Sequence, residues 1–379
     1  MIYLDYSATT PISYDVLDSY NKASREFMGN PNSIHALGVK SKVLLNSATR
    51  QICDLLNIQE NELIYTSGAT EANNMAIKGV AYSYANKGKH IIVSKLEHPS
   101  IYKICEFLET QGYEISYVNN DREGLIDFED LKNKIREDTI LVSICAVNSE
   151  VGIRQPLKTI KQIIKKENPN TIFHSDITQA IGKVAVNLYD VDMASMSGHK
   201  IFGPKGIGFL YKKDNVKMIP LIHGSGKFGD LRGGTPPLPL IVALSKAIRI
   251  ALTDIEKREE HVALLNDKIC KELGKYNDVV INKTKYSIPH ILNISLLNIK
   301  PETFIHAMEE DEVYISTNTA CSSGDLSSSV MAIYEDRKRA TSTIRISLSY
   351  VTTNEEVSKF LNLFRTEYKN LTGFLINEK

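Results

Sequence analysis

The sequence lacks three features that often decide what a protein does: a net charge, a long apolar run and paired cysteines. Lys and Arg together number 45, as do Asp and Glu, so no charge excess favours a nucleic acid as a direct partner. No apolar run approaches the roughly 18 residues that a membrane-spanning helix needs, so we expect no membrane partner. The first acidic residue, Asp5, comes too early for a signal peptide, and we therefore expect a cytoplasmic protein.

The five cysteines lie far apart and form no Cys-x-x-Cys pair. We therefore expect neither a disulfide framework nor a bound metal. Cys53, Cys105 and Cys270 lie on helical patterns and Cys145 lies in a predicted buried strand, so we interpret these four as small core residues. Cys321 differs, because its neighbours are small, polar or glycine and predict an exposed, mobile loop.

Short apolar runs alternate with amphipathic segments between about residue 60 and residue 211. This alternation is typical of an α/β fold with a mostly parallel sheet and helices on both faces. The predicted strands are 62–66, 90–94, 114–118, 140–146, 171–174, 191–197 and 207–211, and the predicted helices are 71–84, 100–111, 127–136 and 157–166. Beyond them, a long helical stretch over about 238–273 leads to a second unit. Isolated strands at 291–295, 313–316 and 343–347 with flanking helices predict that this unit is a smaller α+β domain.

Asp176 and Lys200 each follow a predicted strand closely. In open α/β sheets the ligand binds at the carboxyl ends of the strands. A lysine and a carboxylate there are the two groups that a pyridoxal phosphate (PLP) enzyme needs, because the lysine forms a Schiff base and the carboxylate keeps the pyridine nitrogen protonated. Taken singly, either residue is more often an ordinary surface charge.

A candidate phosphate site lies at 64–73, where a strand passes through Ser67 and Gly68 into a helix. The first N–H groups of a helix bind anions, and a glycine lets the ligand approach the backbone. Alone, the segment slightly favours a plain helix cap, with Ser67 or Thr70 as the N-cap residue. Combined with the Asp and the Lys, it predicts a cofactor phosphate site. The donors that we expect are the backbone N–H groups of Ala69 and Thr70 and the side chains of Ser197 and His199.

Nine short motifs follow one another along the chain, at 4–11, 29–35, 66–71, 97–98, 148–152, 176–179, 197–200, 232–235 and 320–323. Taken in this order, they closely resemble the motifs of the cysteine desulfurases, which are class V PLP-dependent aminotransferases of fold type I. The resemblance runs from residue 2 to about residue 360. It implies a large PLP-binding domain over 14–252 with a mostly parallel seven-stranded sheet. A small domain formed by 1–13 and 253–379 would carry the catalytic cysteine loop.

The resemblance also implies roles for individual side chains. His98 would stack on the pyridine ring and take part in proton transfer, and Gln179 would donate to the ring hydroxyl. Asn148 would lie near the ring and the substrate carboxylate, and the planar guanidinium of Arg345 would bind that carboxylate. Thr235 would reach the phosphate across the interface of a homodimer.

The activity that the resemblance implies is the conversion of L-cysteine to L-alanine, with the sulfur passed to Cys321 as a persulfide. Lys200 would remove the Cα proton, and the thiolate of Cys321 would attack the substrate sulfur after deprotonation by His98 or the cofactor. A protein would then accept the sulfur, either an iron–sulfur cluster scaffold or a tRNA-thiolation sulfurtransferase.

Two alternatives stay open at the level of the sequence. A selenocysteine lyase, or a class V aminotransferase acting on another small amino acid, would keep Asp176 and Lys200 but would not need Cys321. A PLP-bearing assembly partner with weak activity would depend on its surface more than on its turnover. Replacement of Cys321 separates the first alternative from the desulfurase, and capture of sulfur acceptors tests the second.

Overall fold

The structure is a computed structural model that describes residues 1–224, 231–317 and 326–377, with side chains described to residue 373. Cys321 and most of its predicted loop lie outside the described residues. The helices are α1 Tyr14–Glu26, α2 Ala36–Leu56, α3 Ala69–Ser83, α4 Pro99–Thr110, α5 Phe128–Lys134, α6 Leu157–Glu167, α7 Leu238–Ala251, α8 Ile255–Leu273, α9 Pro301–Glu310, α10 Ser328–Tyr334, α11 Arg337–Thr341 and α12 Asn354–Asn377. The strands are β1 Ile2–Tyr3, β2 Leu63–Thr66, β3 His90–Ser94, β4 Glu114–Val118, β5 Thr139–Ser143, β6 Ile172–Asp176, β7 Met193–Ser197, β8 Gly208–Lys212, β9 Val279–Ile281, β10 Ile291–Leu296, β11 Val313–Tyr314 and β12 Thr343–Ser347.

Seven strands form the central sheet, in the order β2-β8-β7-β6-β5-β3-β4. The strand β8 pairs antiparallel with both β2 and β7, while the other four pairings are parallel. Since β2 and β7 are both antiparallel to β8, they run in the same direction, so six of the seven strands share one carboxyl edge. The predicted α/β fold with a mostly parallel seven-stranded sheet is confirmed.

Successive side chains of the central strands enter two different hydrophobic cores, because side chains of a strand alternate between the faces of a sheet. On β3, Ile91 and Val93 pack with α3 and α4, whereas Ile92 packs on the opposite face with α2 and α7. Both faces are therefore covered by helices, which explains why these strands read as continuous apolar runs rather than as alternating ones. Among the described residues, no helix is long and apolar enough to cross a membrane.

A separate hydrophobic core surrounds the three-stranded antiparallel sheet β12-β10-β9. The helices α8, α9 and α12 cover it, and Phe304 and Phe364 pack against each other at its centre, with ring centroids 4.9 Å apart. The N-terminal residues Ile2 and Leu4 belong to this core, and β1 pairs with β11. This clustering favours the predicted assignment of residues 1–13 to the small domain, although the exact boundaries stay a prediction.

The predicted helical stretch over 238–273 consists of two helices, α7 and α8. Asp254 adopts a left-handed backbone conformation, with φ of 51°, and separates α7 from α8. No glycine or proline marks this break, and the apolar periodicity continues across it. The predicted strand 140–146 is also too long, since β5 ends at Ser143.

Gly208 offers a test of how closely β8 packs beside the start of α3. A Cβ atom at this position would lie 2.2 Å from the carbonyl oxygen of Met196 and 2.8 Å from the Cα of Gly68. Because both neighbours are backbone, Gly208→Ala is expected to lower the free energy of unfolding by about 1–3 kcal/mol. The measurement is the midpoint of urea unfolding.

Gly373→Ala is the matched control for this variant. Gly373 lies in α12 with open space around the added methyl group, so the free energy of unfolding is expected to stay level or to rise by up to about 1 kcal/mol. Equal midpoints for the two variants would contradict the close packing at Gly208.

Candidate active site

A pocket of about 360 Å³ opens at the carboxyl edge of the central sheet. The strand β6 ends at Asp176 and β7 ends at Ser197, and a 3-10 turn, Gly198–Lys200, continues β7 to Lys200. Parallel strands end at the same edge, so residues distant in sequence meet there. The predicted site residues that line the pocket are Ala69, Thr70, His98, Asp176, Gln179, Ser197, His199, Lys200 and Arg345. A larger cavity of about 500 Å³ elsewhere contains none of them.

Both carboxylate oxygens of Asp176 are held in place. Oδ2 accepts a hydrogen bond from Nδ2 of Asn73 at 2.9 Å, and Oδ1 accepts one from the backbone N–H of Thr178 at 2.9 Å. The residue is 8% exposed, and the two hydrogen bonds fix the orientation of its carboxylate. Each oxygen keeps a lone pair for a further donor, such as a protonated ring nitrogen.

His98 is the N-cap residue of α4. Its Nδ1 accepts a hydrogen bond from the backbone N–H of Ser100 at 3.1 Å and lies 2.9 Å from the hydroxyl oxygen of Ser100. Burial lowers the pKa of His98; the negative charge of Asp176 acts in the opposite direction and the positive charge of Lys200 in the same one. The imidazole is therefore neutral at neutral pH.

The N-terminal segment supplies the acceptors for Lys200. Its Nζ donates to the carbonyl oxygens of Ser7 at 2.6 Å and Ala8 at 2.7 Å. The Ser7 carbonyl also accepts from Nε2 of Gln179 at 2.9 Å, and the buried Lys183 donates to Oε1 of Gln179. The motif at 4–11 contributed to the resemblance, but nothing in the sequence indicates that its carbonyls reach Lys200.

The start of α3 forms the far end of the pocket. The N-cap residue is Gly68, so the alternative of a plain cap by Ser67 or Thr70 does not apply. Within the described chain, no side chain caps this helix, which leaves its first N–H groups available for an anion. Gly68 has a φ of 154°, and a Cβ atom there would lie 3.2 Å from Oγ of Ser197. The close approach explains why a glycine occupies this position.

His199 lies beside Ser197 in the same pocket. Its Nδ1 is 3.1 Å from Oγ1 of Thr9. Burial lowers the pKa of His199 to about 4, and the charges of Lys200, Lys205 and Lys183 act in the same direction. A neutral imidazole can donate one hydrogen bond to an anion without adding charge to the pocket.

Arg345 reaches the pocket from β12, in the sheet of the smaller core. One terminal nitrogen donates to the carbonyl of Ser149 at 3.0 Å, and the other donates to Oδ1 of Asp5 at 3.0 Å and to Oγ of Ser316 at 2.9 Å. Within the part of the chain that the structure describes, its buried Nε has no hydrogen-bond partner. The guanidinium therefore keeps one donor that no described group satisfies.

Asn148 and Thr235 do not line this pocket. Nδ2 of Asn148 donates to the Leu96 carbonyl at 2.9 Å and to Oγ of Ser329 at 3.0 Å. Its Oδ1 accepts from the backbone N–H groups of the loop after it, at residues 150 and 151. These bonds indicate that Asn148 supports Leu96, which lines the pocket, from outside. Contact between Asn148 and the substrate stays a prediction. Thr235 lines a neighbouring pocket, together with Ser67 and Gly206.

Cys145 was predicted to be an ordinary core residue of a strand. The structure places it beyond the end of β5, where it is buried and also lines the pocket. Its backbone N–H donates to Oε1 of the buried Glu97 at 2.8 Å. Burial raises the pKa of the Cys145 thiol well above its ordinary value, and burial also raises the pKa of Glu97 to about 8. Both groups are therefore neutral at pH 7.

These donors and acceptors fit PLP. A helix start with uncapped N–H groups suits the phosphate, a fixed carboxylate suits the protonated ring nitrogen, and Lys200 supplies the amine for the aldehyde. Arg345 remains as an anion site for the carboxylate of an amino acid. The arrangement suits reactions of amino acids at Cα and Cβ.

Comparison with known proteins agrees with this geometry. Residues 2–360 match the family model described as aminotransferase class-V. The protein named cysteine desulfurase IscS of Dictyoglomus turgidum is 38% identical over 368 residues, which are 96% of this chain and 93% of that protein. A solved structure described as a NifS-like protein has a TM-score of 0.91 and 34% identity, and the match covers 98% of this chain and 99% of that one.

A second solved structure is described as SspA in complex with cysteine. It has a TM-score of 0.81 and 32% identity, and the match covers 93% of this chain and 100% of that one. Both the family model and the named relative extend over nearly the whole chain. The chain therefore belongs to the class-V aminotransferase family and, within it, to the cysteine desulfurases.

Proposed function

We propose that this protein is a PLP-dependent cysteine desulfurase, which converts L-cysteine to L-alanine and transfers the sulfur to Cys321. The observation that carries the proposal is one pocket that joins Lys200 and Asp176, from the central sheet, to Arg345, from the other sheet. The bound cysteine named for the SspA structure supports L-cysteine as the substrate.

PLP would be held by four parts of the pocket. The N–H groups of Ala69 and Thr70, with Ser197 and His199, would bind the phosphate, and Asp176 would bind the ring nitrogen. Lys200 would bind the aldehyde carbon, and Gln179 would donate to the ring hydroxyl. When bound, PLP supplies an electron sink for the charge that develops on the substrate carbon.

Arg345 and Lys200 act on the substrate itself. The guanidinium of Arg345 orients the substrate by its carboxylate, with the unpartnered Nε as one donor. The amine of Lys200 takes the Cα proton, and the carbonyls of Ser7 and Ala8 stabilise the ammonium group that results. Two carbonyl acceptors at 2.6 and 2.7 Å also limit the positions that the amine can occupy.

Cys321 receives the sulfur. Its thiolate attacks the substrate sulfur, an S–S bond forms and the Cβ–S bond breaks. The electron pair of the broken bond stays with the carbon, which is protonated to become the methyl group of alanine. The thiols of Cys145 and Cys105 suit this reaction poorly, since burial raises the pKa of Cys145 well above its usual value and that of Cys105 to about 12.

The protein is proposed to act as a homodimer that passes the sulfur to a second protein. An apolar surface at residues 28–43 supports the dimer: Met28 is 82% exposed and Ile34 is 97% exposed, and Leu37, Val39 and Val43 are exposed as well. The acceptor is proposed to be an iron–sulfur scaffold, as the IscS name of the relative suggests, or a tRNA-thiolation sulfurtransferase. Persulfide chemistry requires reduced thiols, which favours a cytoplasmic location.

Cys321→Ser tests the sulfur transfer. Under a reductant, the wild type is expected to release alanine and sulfide from L-cysteine in equal amounts, and the variant is expected to release neither while its PLP content stays unchanged. Cys270→Ser is the control, because Cys270 lies on α8 and burial raises the pKa of its thiol. Undiminished alanine production by Cys321→Ser would contradict the proposal and favour a selenocysteine lyase or an aminotransferase.

Arg345→Lys tests the carboxylate site. Lysine cannot bind a carboxylate in the bidentate geometry of a guanidinium. The loss of one charge-assisted hydrogen bond is expected to raise the KM for L-cysteine about 10- to 100-fold. The PLP absorbance should not change, because Arg345 is not assigned to the cofactor. Arg365→Lys, at a half-exposed arginine on α12, should keep the wild-type KM. An unchanged KM in Arg345→Lys would refute the assignment.

Ile34→Asp tests the proposed dimer surface. We expect sedimentation to show a dimer for the wild type and dissociation for this variant, because a carboxylate would be desolvated in an apolar interface. Leu264→Asp introduces the same charge at a leucine on α8 that is 73% exposed, and it should remain dimeric. A monomeric wild type, or a variant that still dimerises, would contradict the assignment of this surface.

A further inference from the structure

Two residues outside the predicted set connect Asp176 to His98. Nδ2 of Asn73 donates to Oδ2 of Asp176 at 2.9 Å and to Oγ of Ser100 at 3.0 Å. Oγ of Ser100 lies 2.9 Å from Nδ1 of His98. A continuous chain of hydrogen bonds therefore runs from the carboxylate, through an amide and a hydroxyl, to the imidazole.

The direction of every bond in this chain is determined. A carboxylate only accepts, so Asn73 must point its NH₂ group toward Asp176. The second hydrogen of that NH₂ group goes to Oγ of Ser100. The backbone N–H of Ser100 donates to Nδ1 of His98 at 3.1 Å and cannot reverse its role, so Nδ1 is an acceptor and the Ser100 hydroxyl must be the donor in its own 2.9 Å contact with Nδ1.

Two donors directed at Nδ1 exclude a proton from that nitrogen. In a neutral imidazole the proton must then be on Nε2, the ring nitrogen left for the pocket that His98 lines. A nitrogen that carries the proton donates a hydrogen bond and cannot accept one. His98 can therefore present a donor to the pocket, but it cannot act there as a base.

We infer that Asn73 and Ser100 are positioning residues that hold His98 as the neutral Nε2–H tautomer, so that His98 serves as a hydrogen-bond donor and not as a proton acceptor. This differs from the expectation that His98 takes part in proton transfer. The group that accepts the hydrogen bond from Nε2–H depends on the proposed function. The tautomer itself depends only on contacts within the protein.

The burial of Asn73 supports a role for its amide. The side chain is fully buried, and among the described residues its Oδ1 has no hydrogen-bond partner. An unpaired buried acceptor costs about 1–3 kcal/mol, which an apolar side chain of similar size would avoid. The amide is therefore explained by its two N–H donors, both of which belong to the chain between Asp176 and His98.

The charges around His98 agree with a neutral ring. Burial is the main cause that lowers its pKa, Lys200 acts in the same direction, and Asp176 opposes them. The carboxyl of Glu97, the preceding residue, accepts bonds from Ser94 and the backbone of Cys145, and burial raises its pKa to about 8. Glu97 therefore holds its proton at neutral pH and adds no charge that would protonate His98.

The test is ¹⁵N NMR of the holoenzyme labelled with [¹⁵N]histidine, with the His98 signals assigned by their loss in His98→Gln. In the wild type at pH 7.5 we expect Nδ1 to show the shift of an unprotonated nitrogen and Nε2 that of a protonated one, with the midpoint of titration below the ordinary pKa of about 6.5. The spectrum is recorded without substrate, so its outcome does not depend on the proposed activity. A protonated Nδ1, or titration near the ordinary pKa of about 6.5, would overturn the inference.

Ser100→Ala removes one of the two donors at Nδ1, together with the acceptor for one N–H of Asn73. Since a neutral hydrogen bond contributes about 0.5–1.5 kcal/mol, the affinity of His98 for a proton is expected to rise about two- to tenfold. Asn73→Leu should shift it in the same direction, because the Ser100 hydroxyl then loses the donor that orients it. Asn74→Leu is the control, since Asn74 donates to the Thr70 carbonyl instead. Equal proton affinity in Ser100→Ala and the wild type would refute the role of the chain.

Discussion

The hydrogen bonds of the N-terminal segment at residues 5–10 are the constraint on which the rest of the site depends. On one side, the N–H of Ser7 donates to Oγ of Ser347 at 2.9 Å, which attaches the segment to β12. On the other side, Thr10 donates through both its backbone N–H and its hydroxyl to the carbonyl of His199. The segment thus joins the sheet that carries Arg345 to the turn that carries Lys200. Without these hydrogen bonds, the segment would not hold Arg345 and Lys200 in a fixed position relative to each other.

The same segment compensates the positive charges of the buried Arg345 and the half-buried Lys200. A buried guanidinium is stable only when it is paired and hydrogen-bonded, and Asp5 supplies the anion for Arg345 at 3.0 Å. The carbonyls of Ser7 and Ala8 accept hydrogen bonds from Lys200, so its positive charge is stabilised by neutral dipoles. Because those carbonyls carry no formal charge, they stabilise the ammonium without holding it as strongly as a carboxylate would. This would suit the role proposed for Lys200, in which the amine releases and regains a proton during each turnover.

The sequence predicts the parts of the site that follow from local pattern. Strands, their carboxyl ends and hence the meeting of Asp176 with Lys200 follow from apolar runs and the parallel-sheet rule. Contacts that join distant segments have no local signal: the chain from Asn73 to Ser100 depends on how α3 packs against α4. The break at Asp254 was missed for a related reason, since a single left-handed residue can end a helix without any change in periodicity.

Fixing the His98 tautomer changes how protons move in this pocket. The pKa of the buried Glu97 is raised to about 8 and that of His199 is lowered to about 4, so near pH 7 Glu97 is mostly protonated and His199 is a weak base. If His98 only donates, Lys200 is left as the residue suited to both accept and release a proton beside the substrate. The thiol of Cys321 would then lose its proton to Lys200 or to the cofactor rather than to His98. The amine of Lys200 would then accept a proton first from Cα and later from the thiol. It would have to release the first proton before it could accept the second.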